Sequence, residues 1–267
     1  MKKGEVLFRR SMWAYLFAML LFLFSPIIVT IAFSFNDNRF GVLPWRGFTL
    51  HWYEHIIEYP ALLGPLQNSI LVGVAVSLSA VLLGFLGAYG IRHYSFRWNN
   101  LFLLSMMSPL AVPWMLLGLG LVIYFASIGL RQSLITVWIS HLVFGAPLAL
   151  VIINARLNTI SKSLEEAAAD LGASQMQTII KILIPQALPG IIAAMLLTFT
   201  LSFDEFIIAW FVSGFSETLP VKIYSMMRSG TNPTINAIGS IVFSMSITLT
   251  VLAQFLIRSR GREEVKR

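Results

Sequence analysis

Six segments of the chain are long and apolar enough to cross a lipid bilayer. A helix needs about 20 residues to cross a hydrocarbon core of roughly 30 Å, and segments that are apolar on all sides are typical of membrane spans. Only 12% of the 267 residues are charged, against about 25% in soluble domains. We therefore predict an all-α membrane protein with six transmembrane helices, at Ala14–Phe35, Asn68–Ile91, Leu101–Phe125, Leu134–Asn154, Leu188–Ser213 and Asn236–Ile257.

The lysines and arginines are divided unevenly between the two sides of this bundle. If the N-terminus is inside, fourteen of the nineteen lie on the inner side. Loops rich in Lys and Arg stay in the cytoplasm, so both termini are predicted to be cytoplasmic. The net charge of +7 is then a topology signal for a lipid membrane, and nucleic acid is not predicted as a partner.

Several chemistries are disfavoured by the sequence. The chain has no cysteine, so disulfides and thiolate metal sites are excluded. No lysine follows a glycine, so there is no P-loop for a nucleotide, and the chain is not predicted to be an enzyme. His51-Trp52-Tyr53-Glu54-His55 matches a zinc-protease pattern, but in an outer loop we interpret it as an interfacial amphipathic helix.

The loop between the fourth and fifth spans predicts two short capped helices. Ser163 with Glu166, and Ser174 with Gln177, have the spacing of capping boxes. Gly172 lies between them, where a helix would end in the left-handed region. The second helix is predicted to run to Ile184, before a proline.

The first of these helices carries a row of small residues. A solvated surface would favour longer polar side chains there, whereas alanines let another protein approach closely. The alternative is a surface hairpin without a partner. The row consists of Ala167, Ala168, Ala169 and Ala173.

The same loop resembles a known family signature. Glu166-Ala167-Ala168 is followed after three residues by Gly172, and after nine more by Ile182-Leu183-Ile184-Pro185. This order and spacing resemble the EAA motif of binding-protein-dependent ABC importer permeases, with Ile184 where leucine is usual. The resemblance extends from about Asn68 to the C-terminus.

The resemblance implies a division of labour between subunits. Such a permease spans the bacterial inner membrane many times and pairs with a second permease. A separate cytoplasmic ATPase dimer binds ATP and Mg²⁺, an extracytoplasmic binding protein delivers the solute, and the permease itself binds no cofactor. The first loop helix would be the cytoplasmic coupling helix between spans 4 and 5, with its docking positions at Glu166, Ala167, Ala168, Asp170 and Gly172.

With that resemblance the chain divides into three predicted parts. Residues 1–67 hold the first span and an extracytoplasmic loop. Residues 68–258 form a permease core of five spans, and residues 259–267 form a basic cytoplasmic tail.

Two adjacent carboxylates, Asp204 and Glu205, lie in the fifth predicted span. A charged side chain at the centre of a membrane helix costs about 2.5–3.5 kcal/mol. Either at least one acid lines a translocation path for cations, or the acids are structural, protonated or paired with Arg131, Lys222 or His141. A continuous helix would align Glu205 with Ser202 and Thr198. The candidate pathway residues are Asp204, Glu205, Ser202, Thr198 and Trp210, the last belonging to an aromatic stripe that either packs or attracts an organic cation.

The region around the acids resembles one branch of the family. Ser202-Phe203-Asp204-Glu205 and Leu219-Pro220-Val221-Lys222-Ile223-Tyr224-Ser225 resemble spermidine/putrescine permeases, which often have Asp-Asp where this chain has Asp-Glu. The resemblance implies polyamine import by a heterodimer of permeases. The alternatives are an amino-acid-like, opine, organophosphonate or iron substrate, or an ion-coupled secondary transporter, for which the inverted repeats are not evident.

Overall fold

A computed structural model of the chain describes residues 3–38, 43–58, 60–94, 99–230 and 233–264. Within these residues the regular structure is helical, apart from an isolated β-bridge between Asn36 and Phe48. The contacts divide the chain into two compact units, residues 1–60 with 223–244, and residues 61–222 with 245–267. The last three residues of the predicted basic tail lie outside the described residues.

The first unit contains α1 (Lys3–Phe33) and α2 (His51–Glu58). The apolar stretch of α1 is not buried inside the chain, as expected of a helix that faces lipid. Polar contacts hold the segment after α1 against α2: the Trp52 indole donates to the Asn36 carbonyl at 2.9 Å, and the Ser34 and Tyr53 hydroxyls lie 2.7 Å apart. The residues of the zinc-protease pattern, His51 to His55, lie in the short helix α2, as predicted.

The second unit contains the remaining helices up to the end of the fifth predicted span. They are α3 (Pro60–His93), α4 (Asn99–Ala111), α5 (Trp114–Ser127), α6 (Leu134–Leu157), α7 (Ser163–Asp170), α8 (Gln175–Thr178), a π-helical turn (Ile179–Leu183), α9 (Ile184–Asp204) and α10 (Ile207–Val212). Two further helices follow, α11 (Leu219–Ser229) and α12 (Thr234–Glu264), and both contribute residues to each unit.

In the described residues, five helices are long and apolar enough to cross a membrane, or six if a bent pair counts as one span. The bent pair is α4 and α5, which meet at 98°. The span predicted at Leu101–Phe125 is therefore not one continuous helix. Pro113 lacks an N–H and disfavours helical geometry at the preceding Val112, so the helix breaks there.

The loop helices largely follow the predicted signals. Gly172 has φ of +78° and lies two residues after the end of α7, and Ser174 and Gln177 form the predicted reciprocal capping box. The box at Ser163 is wrong, because α7 begins at Ser163 itself and its hydroxyl bonds that of Ser161.

The predicted stop before Pro185 is also wrong. The π-helical turn carries the chain from α8 into α9, with the Ile184 N–H donating to the Ile179 carbonyl five residues earlier. Wider π turns accommodate local disruptions such as a proline within a continuing helix.

Two apolar clusters form the core of the second unit. One lies between the halves of α3, α6 and α9 nearest α7, an end that we call the α7 end; it includes Phe85, Ile153, Leu157, Leu183 and Ala187. The other lies towards the opposite end, between α3, α5, α6 and α10; it includes Val76, Phe125, Phe144, Ile208 and Val212. The clusters hold α3 and α6 along their length, so both candidate sites lie on a packed frame.

Candidate functional site

The surface of α7 is the first candidate site. Of the predicted docking residues, Glu166, Ala167, Asp170 and Gly172 are exposed, whereas Ala168 is buried within this chain. The alanine row therefore has two roles: Ala168 lets α7 lie close to the bundle, while Ala167 and Ala169 face outward. Glu166, Ala167 and Asp170 are thus exposed on α7 and Gly172 follows the helix, whereas Ala168 of the same helix is buried.

Sequence reasoning missed the apolar side chains beside α7. Leu171, which follows the helix, is 89% exposed, and Met176 in α8 is 62% exposed. Exposed apolar side chains that lie together can mark a protein-interaction surface. The signal was present in the sequence, because Leu171 immediately precedes the glycine that ends the helix.

The fifth predicted span is broken at the acid pair, which is the second candidate site. Helix α9 ends at Asp204, Glu205 is extended with φ of −70° and ψ of 123°, and α10 begins at Ile207. The prediction of one helix over Leu188–Ser213 is therefore wrong. The alignment of Glu205 with Ser202 and Thr198 on a continuous helix does not apply either.

Glu205 explains why the chain breaks there. Its carboxylate accepts hydrogen bonds from the N–H groups of Ile208 at 2.8 Å and Ala209 at 2.9 Å. These donors are among the first N–H groups of α10, which have no partner within the helix. Glu205 is only 3% exposed. The two hydrogen bonds place its carboxylate at the start of a helix, where negative charge is stabilised.

His141 in α6 connects the two sides of this break. Its Nδ1 lies 2.8 Å from the Ser202 hydroxyl, and its Nε2 lies 3.2 Å from a carboxylate oxygen of Glu205. His141 is fully buried. Of the three pairing partners considered for the acids, the structure thus places His141 beside Glu205.

Asp204 has different surroundings from its neighbour. It is exposed, and the Ser246 hydroxyl of α12 donates to it at 2.6 Å. Trp210 is 46% exposed, whereas Thr198 is buried and its hydroxyl bonds the Ala194 carbonyl of the same helix. The structure therefore brings Ser202 and Glu205 together and separates them from Asp204.

In the part of the chain that the structure describes, no three His, Asp or Glu side chains are grouped to hold a metal ion. The first candidate site presents a helix surface, and the second stabilises an interrupted helix and leaves one carboxylate accessible.

A family model described as "binding-protein-dependent transport system inner membrane component" matches residues 80–262. The chain belongs to this family. The match covers both candidate sites, from the second half of α3 to within two residues of the end of α12.

Curated relatives match over nearly the whole chain. The "spermidine/putrescine transport system permease protein PotC" of Haemophilus influenzae is 34% identical over 253 residues, covering 93% of this chain and 96% of the relative. The "putrescine transport system permease protein PotI" of Escherichia coli is 30% identical and covers 96% and 95%.

A solved structure shares the fold. A bacterial alginate ABC transporter, in complex with an alginate-bound periplasmic protein, contains a chain that aligns with a TM-score of 0.69 at 16% identity. The alignment covers 95% of this chain and 93% of that chain. The chain therefore shares its all-helical fold with a chain of a bacterial ABC transporter.

Proposed function

We propose that this chain is a permease subunit of an ATP-driven importer of polyamines such as spermidine and putrescine. The observation that carries the proposal is the 34% identity to a spermidine/putrescine permease across 93% of this chain and 96% of the relative. The chain would lie in the bacterial inner membrane with both termini and α7 on the cytoplasmic side, as the distribution of Lys and Arg favours.

The proposed transporter contains a second, unlike permease, a pair of ATPase subunits and an extracytoplasmic binding protein. The ATPase would bind ATP and Mg²⁺, and this chain would bind no cofactor. The named relatives are permease proteins of polyamine transport systems, and the aligned alginate transporter was solved with a periplasmic protein. These partners supply the nucleotide and solute sites for which this sequence has no motif.

Helix α7 would be the coupling helix that docks on the ATPase. The exposed residues Glu166, Ala167, Asp170 and Gly172 would form the docking surface, with Leu171 as its apolar anchor. Ala168 would act indirectly, by letting α7 lie against the bundle. A short helix held at both ends transmits rigid movement, and an ATPase dimer with two arrangements provides that movement.

Asp204 would be the carboxylate that contacts the moving cation, with Trp210 beside the path. Polyamines are di- or trications at neutral pH, and two opposite charges 4 Å apart attract by about 4 kcal/mol at an effective dielectric constant of 20. Asp204 is exposed at the helix break, whereas Glu205, Ser202 and Thr198 are buried. We assign these three to the support of the break.

The test is uptake of labelled polyamine by proteoliposomes that contain the complete transporter. Asp204→Asn should lower spermidine uptake at least about tenfold, which is the loss of about 1.4 kcal/mol of attraction, at unchanged abundance. Thr200→Val is the matched control, since the Thr200 hydroxyl bonds only the Leu196 carbonyl of its own helix in the contacts described.

Each outcome has a distinct meaning. Full polyamine uptake by Asp204→Asn would reject the role of Asp204 and leave the importer intact. If the wild-type transporter takes up only a neutral or anionic solute, the polyamine proposal is rejected. The proposals that the chain is a permease and that α7 docks on the ATPase would still stand.

A further inference from the structure

The last turn of α3 contacts both short helices of the loop at the α7 end. Tyr89, Arg92 and His93 have the spacing i, i+3, i+4, so they share one face of α3. The Tyr89 hydroxyl accepts a hydrogen bond from the Gln175 amide of α8 at 2.8 Å. The His93 ring stacks on Tyr89, with centroids 4.1 Å apart, and its Nε2 lies 2.8 Å from Glu165 of α7.

Arg92 makes the largest set of these contacts. Its Nε and Nη2 donate to one carboxylate oxygen of Glu165 at 2.8 and 2.6 Å. Its Nη1 donates to the carbonyl of Leu157, the last residue of α6, and its Nη2 also donates to the carbonyl of Ile160, three residues further on. The last carbonyls of a helix have no partner within that helix, so this guanidinium completes the end of α6 and binds α7 at the same time.

The two adjacent glutamates of α7 therefore face different ways. Glu165 is directed towards α3, whereas Glu166 is exposed. The Arg92 side chain is 3% exposed and that of Glu165 is 12% exposed, so water competes little for their contact. Charge-assisted hydrogen bonds of this kind are about twice as strong as neutral ones.

The chain does not connect α7 directly to α3, so any movement of α7 must reach α3 through side-chain contacts. The loop that carries α7 is continuous only with α6 and, through α8, with α9. The near end of α3 is joined to the loop by side-chain contacts, and Arg92 supplies most of them.

The same helix is also fixed at its far end. There the Asn68 amide donates to the Glu217 carbonyl at 2.9 Å, and the Ser69 hydroxyl accepts from the Leu219 N–H at 2.8 Å. At 1.5 Å per residue, Ser69 and Arg92 lie about 35 Å apart along the helix. Helix α3 thus connects α7 to the segment that follows α10, beyond the break at Glu205.

We propose that Arg92 is a positioning residue that couples α7 to α3, so that a displacement of α7 moves α3 together with α6 and α9. This rests on the proposed docking of α7 on the ATPase, but not on the identity of the solute. Without Arg92, α7 can still dock, but α3 is joined to it and to α8 only by apolar packing and by the single contacts of Tyr89 and His93. Transport should then fall while ATP hydrolysis continues.

The test compares uptake and ATP hydrolysis in the complete transporter in liposomes, with the solute that stimulates the wild type. Arg92→Ala and Arg92→Lys should leave basal ATP hydrolysis within about twofold and lower uptake per ATP at least about fivefold, the lower end of usual coupling energies. Lysine keeps the charge but lacks the planar fork that reaches three acceptors. Adding Glu165→Ala to Arg92→Ala should cause little further loss, since the two residues act as a pair.

Arg156→Ala is the matched control. Arg156 also donates to backbone, the Gln186 carbonyl at 3.1 and 3.0 Å, but it joins α6 to α9, which the loop already connects. Its removal should lower abundance without changing uptake per ATP. An equal fall of this ratio in both variants would overturn the proposal, as would an unchanged ratio in Arg92→Ala.

A spin-label distance measurement separates this proposal from the proposed function. The chain has no cysteine, so labels at Ala169→Cys in α7 and Leu86→Cys in α3 are free of background. In the assembled transporter, Arg92→Ala should broaden the distance distribution between them, whatever solute is carried. A distribution as narrow as that of the wild type would overturn the coupling by Arg92, even if polyamine transport is confirmed.

Discussion

Glu205→Gln separates a structural role of the second acid from a role in the substrate path. In the wild type, both carboxylate oxygens are occupied by backbone N–H groups, at 2.8 and 2.9 Å. A glutamine side chain offers one oxygen and one NH₂ group, so one of the two N–H groups of α10 loses its acceptor. A buried donor left without an acceptor costs about 1–3 kcal/mol.

That cost should appear as a loss of thermal stability. Proteins of about this length lose about 2–4 °C in unfolding midpoint per kcal/mol, so we expect a fall of about 2–12 °C for the purified chain in detergent. Glu217→Gln is the control, because Glu217 forms a partly exposed ion pair with Lys222 at 3.4 Å. Such pairs contribute about 0–1 kcal/mol.

The assay pairs the unfolding midpoint with uptake normalised to folded protein. We expect Glu205→Gln to unfold earlier than Glu217→Gln and to keep its uptake per folded molecule within a few-fold. If Glu205→Gln is as stable as Glu217→Gln but loses transport, then Glu205 acts on the solute and its assignment as a helix cap is refuted.

Three further predictions test the frame and the docking surface. Gly84→Ala should destabilise the chain by about 1–3 kcal/mol, because a Cβ there would lie 2.7 Å from the Leu150 nitrogen of α6. Its control is Gly90→Ala in the same helix, whose Cβ would meet nothing within 4 Å and which should stabilise the chain by about 0.5–1 kcal/mol. Both effects are measured as shifts of the unfolding midpoint. Leu171→Ala should weaken binding of the ATPase by about 1–3 kcal/mol, as for a buried leucine, measured by co-purification across a salt series. Gly172→Ala should cost about 1–2 kcal/mol, because its φ of +78° is unfavourable for an L side chain, and unchanged stability would contradict the αL cap.

The sequence predicted the elements whose signals are local. Four of the six predicted spans are unbroken helices, and these follow from hydropathy alone. The cap of Ser174 with Gln177 and the left-handed Gly172 follow from turn chemistry within a few residues. These signals need no knowledge of neighbouring helices. The break at Pro113 was also a local signal, and it was overlooked because the flanking apolar residues fit one long span.

The break at Glu205 could not be predicted in the same way. No glycine or proline marks it, and the acid that caps α10 is buried beside His141, which lies 64 positions earlier in another helix. The inward orientation of Glu165 depends likewise on Arg92 at the end of α3. Adjacent acids, Asp204 with Glu205 and Glu165 with Glu166, look equivalent in sequence, and packing gives each a different environment.

ATP hydrolysis by the reconstituted transporter tests the central claim most directly. The partner permease, ATPase and binding protein would come from the same source as this chain, and the solutes would be putrescine, spermidine, a zwitterionic amino acid and a phosphonate. We predict stimulation by the polyamines alone. Stimulation by the amino acid or the phosphonate, with none by either polyamine, would contradict the account.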